Sequence, residues 1–372
     1  MFNPSARQSF LQFALGRLAV LDAGLMALIA SLALIGLVTL YSASADFPWR
    51  FTDQLRNLAI ALGVLWVAAS VSPQLWMRLA APMYLIGLAM LIAVDLRGIN
   101  VKGATRWLDL GITRIQPSEM MKLAVPLMLA WYFHRREGAL RTMDFLFTVL
   151  MLALPVALIL MQPDLGTASL VLAAGLFVIF FAGLPWRWIA TGIAGGLALL
   201  PVVWTFMHDY QRERVLTLLD PAQDPLGKGF HTLQSMIAIG SGGVLGKGWM
   251  QGTQTHLEFI PERTSDFIFA VYSEEFGLVG NLVLLALFFG LVIRALAIAG
   301  AAPTLFTRLL ASSIALMLFT YAFVNMGMVS GILPVVGVPL PFMSYGGTAL
   351  VTMSLACGML MSIHRHRKLV QS

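Results

Sequence analysis

Charge is what this sequence most lacks. Asp, Glu, Lys and Arg make up 11% of its 372 residues, against 59% hydrophobic, whereas a soluble domain carries roughly 25% charged residues. No soluble fold of this length buries that much apolar surface. Lipid must cover the excess, and in lipid only helices or closed barrels satisfy the backbone. The weak alternating segments of an outer-membrane barrel are missing too. Cysteine is almost absent: Cys357 stands alone inside the last apolar run. That excludes an intrachain disulfide framework and leaves the redox compartment unread; the residue reads as a small core side chain. The six histidines form no HExxH and no Cys/His metal spacing. No nucleic-acid-binding motif occurs, so a net charge of +6 reads as ordinary for a membrane protein.

What is present is a series of long apolar runs. The fold class is an all-α polytopic membrane protein with about ten spanning helices of roughly 20 residues. The spans fall near 20–40, 57–72, 78–96, 118–133, 144–161, 167–184, 188–206, 267–293, 308–329 and 346–363. The first is too long, and too early in a series of spans, to be a cleaved signal peptide. There is no evident internal repeat, and residues 1–372 read as one membrane domain. The longest non-spanning stretch, about 207–265, lies between the seventh and eighth spans. Loops of that length are functional or disordered; its apolar and Gly-rich pieces predict folding at the membrane surface, partly re-entrant.

Orientation follows from Lys and Arg in short loops. The loop His134 to Arg141 and the tail His364 to Lys368 are both basic and fall on one side. With both termini cytoplasmic, twelve cations lie inside. Six lie outside once Lys122, which is within a span, and the five of the long loop (Arg212, Arg214, Lys228, Lys247, Arg263) are set aside. Acidic residues are far more lopsided: only Asp22, Glu137 and Asp144 fall inside and the other fifteen outside. Such residues barely influence orientation, so the asymmetry reflects either solvation of the large loop or an outward-facing polar site.

Several constellations could carry chemistry. In Gln116-Pro117-Ser118-Glu119-Met120-Met121-Lys122, Pro117 suits a first helical turn, and Glu119 and Lys122 share a helical face. An ionisable residue in a span is functional by default: either a pair stapling helices, or a cation lining a cavity for an anionic ligand. Lys102 to Gly111, with Arg106 and Trp107, is an interfacial anchor or a phosphate-binding loop. Gly240 to Gly248 fails as a P-loop. Ser241 and Gly248 stand where Gly and Ser/Thr are required, and a flexible surface or re-entrant turn is expected instead. Carboxylates cluster at Glu258, Glu262 and Asp266 ahead of the eighth span. Burial there could make one a base, or Asp266 could serve the helix dipole; the pattern does not choose between Asp266 and Glu262. Asp164, in Gln162-Pro163-Asp164-Leu165-Gly166-Thr167, is equally ambiguous. Gly331 to Thr348, with three prolines and four glycines, cannot be a regular helix. Irregular backbone at membrane depth lines a cavity or is buried in protein.

Together these segments resemble the SEDS family of envelope proteins (shape, elongation, division and sporulation). Pro334 with Ser344-Tyr345-Gly346-Gly347-Thr348 looks like the family signature, and Gln116-Pro117-Ser118-Glu119 with Lys122, and Pro261-Glu262 with Ser265-Asp266-Phe267-Ile268, also match. The resemblance covers nearly all the spans. Arg106 to Gly111, Gln162 to Thr167, and Gly252-Thr253-Gln254 with Leu257-Glu258-Phe259 are closer to elongation-type than to division-type members. One departure is Thr264-Ser265 before Asp266, where His-Thr is commoner; the carboxylate itself remains.

The resemblance implies peptidoglycan glycosyltransfer. Lipid II, the undecaprenyl-linked disaccharide peptide, would be polymerised into β-1,4 glycan at the outer face of the cytoplasmic (inner) membrane, for cell elongation and rod shape. A class B penicillin-binding protein would be the partner. An α-linked donor giving a β-linked product implies one inverting displacement with one base. On the family's authority that base is Asp266. Lys122, Arg106 and Arg263 are candidates to neutralise the departing pyrophosphate, with Glu119, Asp164 and Ser344 as further substrate-binding candidates. No metal ligands are expected from the protein, although a divalent cation such as magnesium could share the task. Two alternatives stay open: a flippase for lipid-linked precursors, since buried charges and broken helices also suit transport, and a non-catalytic scaffold for the penicillin-binding protein.

Overall fold

The structure is a computed structural model that describes residues 20–101, 104–109, 114–207, 212, 216, 230–257, 260 and 262–367. Lys102, Gly103, Leu110, Gly111, Arg214, Lys228, Glu258, Phe259, Pro261 and Lys368, all singled out above, lie outside the described residues.

Each of the ten apolar segments is a helix. The first seven are α1 Ala23–Ala43, α2 Pro48–Ser70, α3 Pro73–Arg97, α4 Pro117–Arg135, α5 Thr142–Met161, α6 Leu165–Phe181 and α7 Trp186–Phe206. Two short helices follow, α8 Phe230–Ser241 and α9 Thr253–His256, and then α10 Ile268–Gly300, α11 Leu305–Val329 and α12 Gly347–His366. Six of these (α1, α3, α5, α10, α11, α12) are long and apolar enough to cross a membrane by length and composition alone, and α6 is a shorter apolar helix. The chain is a multi-pass membrane protein.

Two ends show the sequence at work. Asp22 caps α1 by accepting the Leu25 N–H at 2.8 Å, and Pro117 occupies the first turn of α4, where its missing N–H removes nothing. Without a hydrophobic drive in lipid, helices associate where small residues admit close approach. A methyl group at Gly358 of α12 would lie 2.5 Å from the Leu65 carbonyl oxygen of α2, and α2 and α12 form the most extensive helix pair. The centre of the bundle is α4, α11 and α12; α4 buries residues around most of its circumference, whereas α7 is exposed along almost its whole length.

The structure adds two features to the all-helical reading. Between α3 and α4 the chain forms a small antiparallel sheet, β1 Ile99–Val101, β2 Ala104–Asp109 and β3 Arg114–Ile115, in that order, with Ile99 opposite Trp107 and Leu108 opposite Ile115. These strands are too short to carry a periodic signal. The second feature is a break in α10 at Gly277, with φ 62° and ψ −158°. Here the Gly-rich stretch finds its purpose. The Lys247 and Gly248 amides donate to the carbonyls of Glu274 and Glu275 at 3.0 Å each, and the Leu278 and Val279 amides donate to the carbonyls of Gly243 and Val244 at 2.9 and 3.1 Å. The expected flexible turn is a splint that satisfies the backbone groups the break leaves unpaired.

Candidate functional site

The site forms at the end of the bundle where α4, α6 and α10 begin. The turn from Glu262 to Phe267 leads into α10, and four consecutive residues in it are each held by distant parts of the chain. Arg263 donates through Nε to the Ala43 carbonyl at 2.9 Å, through Nη1 to the Thr255 carbonyl at 3.0 Å, and through Nη2 to the Asp46 carboxylate. Thr264 accepts Arg50 Nη1 on its hydroxyl at 2.7 Å and the Tyr345 amide on its carbonyl at 2.8 Å. The Ser265 carbonyl accepts the Ser344 hydroxyl at 2.7 Å. The Asp266 carbonyl accepts the Asn325 side-chain amide at 2.9 Å. Asp266 itself is partly exposed. The helix cap is Phe267, which makes no side-chain capping bond, and Asp266 stands one residue ahead of it.

The irregular segment Gly331 to Gly346 joins this turn to the rest of the site. A methyl group at Gly337 (φ 73°) would lie 3.3 Å from Asp266 Oδ2, and one at Gly166 would lie 2.5 Å from the Val336 carbonyl oxygen. One short piece of chain thus touches Asp266 on one side and the start of α6 on the other. Gly166 is two residues from Asp164. That carboxylate caps α6 through the Thr167 amide at 3.1 Å, accepts Gln116 Nε2 at 3.1 Å, and stands 3.8 Å from the Arg106 guanidinium. Arg106, projecting from β2, also donates to the carbonyls of Gln162 and Pro163, and its side chain is 30% exposed.

One turn into α4 lies the Glu119–Lys122 pair. Lys122 is 2% exposed. Its ammonium sits 2.5 Å from Glu119 Oε1 and 5.0 Å from the centre of the buried Tyr321 ring. The predicted shared face is therefore real, but the two residues differ in access. A groove of about 370 Å³ between α2, α3, α4 and α12 is lined by Asn57, Gln116, Glu119, Leu123 and Thr348 among others. Glu119 reaches it; Lys122 stands behind.

Three expected substrate contacts turn out to be occupied by the protein. The Arg263 donors go to Ala43, Thr255 and Asp46. The Ser344 hydroxyl, besides donating to Ser265, accepts the Leu340 amide at 2.8 Å, which makes it a clasp within the irregular segment. Asp164 is a buried hub rather than an open carboxylate.

Sequence reasoning missed several participants. Asn325 of α11 donates to the carbonyls of both Asp266 and Val338; a lone Asn in an apolar run was its available signal. Buried Glu274 and Glu275 in α10 are a second unread signal. Glu274 accepts Lys247 Nζ at 2.7 Å, and the Gln254 and Thr255 amides at 3.0 and 3.3 Å. Glu275 accepts the Ser42 hydroxyl and the Met250 amide. Tyr321 gave no signal. His231 of α8 stacks on Phe267, with ring centroids 6.0 Å apart. Burial holds its imidazole below the ordinary histidine range, opposed by the Glu262 carboxylate.

The family model FTSW_RODA_SPOVE, described as a cell cycle protein, matches residues 23–369. The chain belongs to the FtsW/RodA/SpoVE (SEDS) family. Its SEDS relatives include the peptidoglycan glycosyltransferase MrdB of Escherichia coli K12, 48% identical over 351 residues that cover 94% of this chain and 95% of the relative. A probable peptidoglycan glycosyltransferase FtsW of Trichlorobacter lovleyi is 37% identical over 95% of both chains. The stronger likeness to MrdB agrees with the elongation-type motifs. Among solved SEDS structures, a chain from a study of polymerization and crosslinking by a peptidoglycan synthase complex superposes with a TM-score of 0.81 at 36% identity, covering 93% of this chain and 98% of that one. The rod shape determining protein RodA of Thermus thermophilus superposes at 0.71 and 33% identity, over 93% and 97%.

Proposed function

We infer that this chain is a peptidoglycan glycosyltransferase that polymerises lipid II into β-1,4-linked glycan at the outer face of the cytoplasmic membrane during cell elongation. Both termini lie in the cytoplasm, and a class B penicillin-binding protein crosslinks the product. The observation that carries the reading is the irregular segment, which at Gly337 meets the carboxylate of Asp266 and at Val336 meets the start of α6, beside Asp164 and Arg106. The stretch thus meets the Asp266 carboxylate at one point and, at another, the helix start whose capping Asp164 stands beside Arg106.

The chemistry follows from these positions. The acceptor sugar hydroxyl is a poor nucleophile until its proton is taken, and Asp266 takes it. The oxygen attacks the anomeric carbon of the donor, the bond to the lipid diphosphate breaks, and the configuration inverts in one step. Charge grows on the diphosphate as it leaves, and fixed cations lower that barrier most effectively away from water. Arg106 is the accessible cation and Lys122 the buried one, with Glu119 between Lys122 and the groove. That groove between α2, α3, α4 and α12 takes a lipid tail, so the substrate stays in the membrane. Among the described residues no three His, Cys, Asp or Glu converge to hold a metal. A magnesium ion carried on the substrate diphosphate would add positive charge there while keeping several of its waters.

The test is gel analysis of glycan made from labelled lipid II by purified protein. The wild-type chain gives a ladder, and Asp266→Asn loses about 10²–10⁴-fold, the usual worth of a general base. Near-full synthesis by Asp266→Asn would remove that residue from the role. Movement of labelled lipid across vesicles without polymer would replace the reading with a flippase.

A further inference from the structure

The site depends on where Asp266 is held, and one buried side chain gathers the supports. We propose that Arg263 is a positioning residue for Asp266, anchored through Thr255 by Glu274, and that it does not bind substrate. This rests on the reading of Asp266 as the base.

The guanidinium is a rigid planar fork with five donors. Its three nitrogens here reach three separate places: the last residue of α1 at Ala43, the link between α1 and α2 at Asp46, and Thr255 in α9. The Arg263 side chain is 7% exposed, whereas that of Asp46 is 51% exposed. A buried cation persists only when its donors are matched, so this geometry is costly to disturb. A substrate anion would have to displace these partners to reach it.

Thr255 is fixed in turn. Its amide and its hydroxyl both donate to Glu274 Oε2, at 3.3 and 3.2 Å, and Glu274 pairs with Lys247 at 2.7 Å. Lys247 belongs to the glycine splint, and Glu274 lies three residues before the break at Gly277. A continuous path of buried polar contacts therefore runs from the broken helix, through Glu274, Thr255 and Arg263, to the turn that presents Asp266. The adjacent Glu275 holds Ser42, next to Ala43, on the same side. Catalysis requires the base within hydrogen-bond reach of the acceptor hydroxyl, and a displacement of about 1 Å is enough to lose 10²-fold in rate.

The experiment compares steady-state polymerisation of lipid II by wild type, Arg263→Ala, Arg263→Lys and Asp46→Asn, with the folded fraction measured by size-exclusion chromatography and thermal unfolding. Arg263→Ala is expected to lower kcat about 10- to 100-fold per folded molecule, with KM for lipid II within about twofold, as befits loss of transition-state alignment alone. Arg263→Lys should not restore kcat, because a point charge cannot serve three divergent acceptors. Asp46 is largely exposed, so Asp46→Asn should fold and still show a lower kcat at unchanged KM. A rise in KM with kcat retained would make Arg263 a substrate ligand. A fall in melting temperature with kcat unchanged would make it purely structural. Either result overturns the proposal. Should Arg263→Ala not fold, unchanged kcat in Asp46→Asn alone overturns it. Asp266→Asn is run in parallel: polymer from that variant would reject the base assignment itself, a different failure from an active Arg263→Ala.

Discussion

Asn325 donates its side-chain amide to the backbone carbonyl of Asp266 at 2.9 Å. The same nitrogen reaches the Val338 carbonyl at 2.7 Å, one residue past the glycine that abuts the Asp266 carboxylate. A single fully buried amide thus locks the candidate base to the irregular segment facing it. Asn325→Leu strands two acceptor carbonyls and is expected to destabilise the protein by about 2–6 kcal/mol, from roughly 1–3 kcal/mol for each unsatisfied group. It should also lower kcat with Asp266 still in place. Thermal unfolding in detergent, paired with the lipid II gel assay, checks both effects.

The Glu119–Lys122 pair makes a second prediction. Removing one member of a buried pair leaves an uncompensated charge, which costs about 3–5 kcal/mol. Glu119→Ala should therefore destabilise markedly. Adding Lys122→Met should recover the melting temperature without recovering synthesis, because the buried cation is gone. A double variant that regains full polymerisation would show the pair to be a staple between helices and nothing more.

Gly277→Ala should fail to accumulate as folded protein. The backbone at φ 62°, ψ −158° is closed to a side chain, and a methyl group there would lie 2.3 Å from the Gly246 amide nitrogen. Size-exclusion profiles of detergent extracts report the outcome. A monodisperse wild-type peak from the variant would mean that the break in α10 is dispensable.

His231 predicts a pH dependence of stability. Burial lowers its folded-state pKa, while the unfolded chain titrates near the ordinary value of about 6.5. The unfolded state then binds more protons just below that value, so stability is fully present above it and declines as pH falls. Melting temperature should drop between about pH 6.5 and pH 5 in wild type. In His231→Phe, which keeps the stack on Phe267, the drop should be smaller.

The ten helices were readable because spanning a bilayer demands long apolar runs, and the Glu119–Lys122 contact because three residues make nearly one helical turn. Asp266 was only nominated by the residues themselves: a carboxylate before an apolar run is as consistent with a helix N-terminus as with a base, and nothing in the local pattern separates Asp266 from Glu262. Arg263 shows the opposite limit. Its charge and place suggested an anion ligand, but the acceptors that hold its three nitrogens come from residues more than 200 positions earlier and from a four-residue helix, which no local pattern reveals. Asn325 and Glu274 did carry a signal, being polar groups in apolar helices. The purpose of Gly240 to Gly248 carried none, since it pairs with a helix break that hydropathy smooths over.

The link from Thr264 to Tyr345 has a consequence for biogenesis. The turn bearing Asp266 is complete only when a residue just ahead of the final span has delivered its amide. During synthesis, α10 and its carboxylates enter the membrane while the closing strap of the site is still inside the ribosome and translocon. The turn that carries Asp266 therefore gains its last hydrogen bonds only after α11 has been made, when Ser344 and Tyr345 arrive.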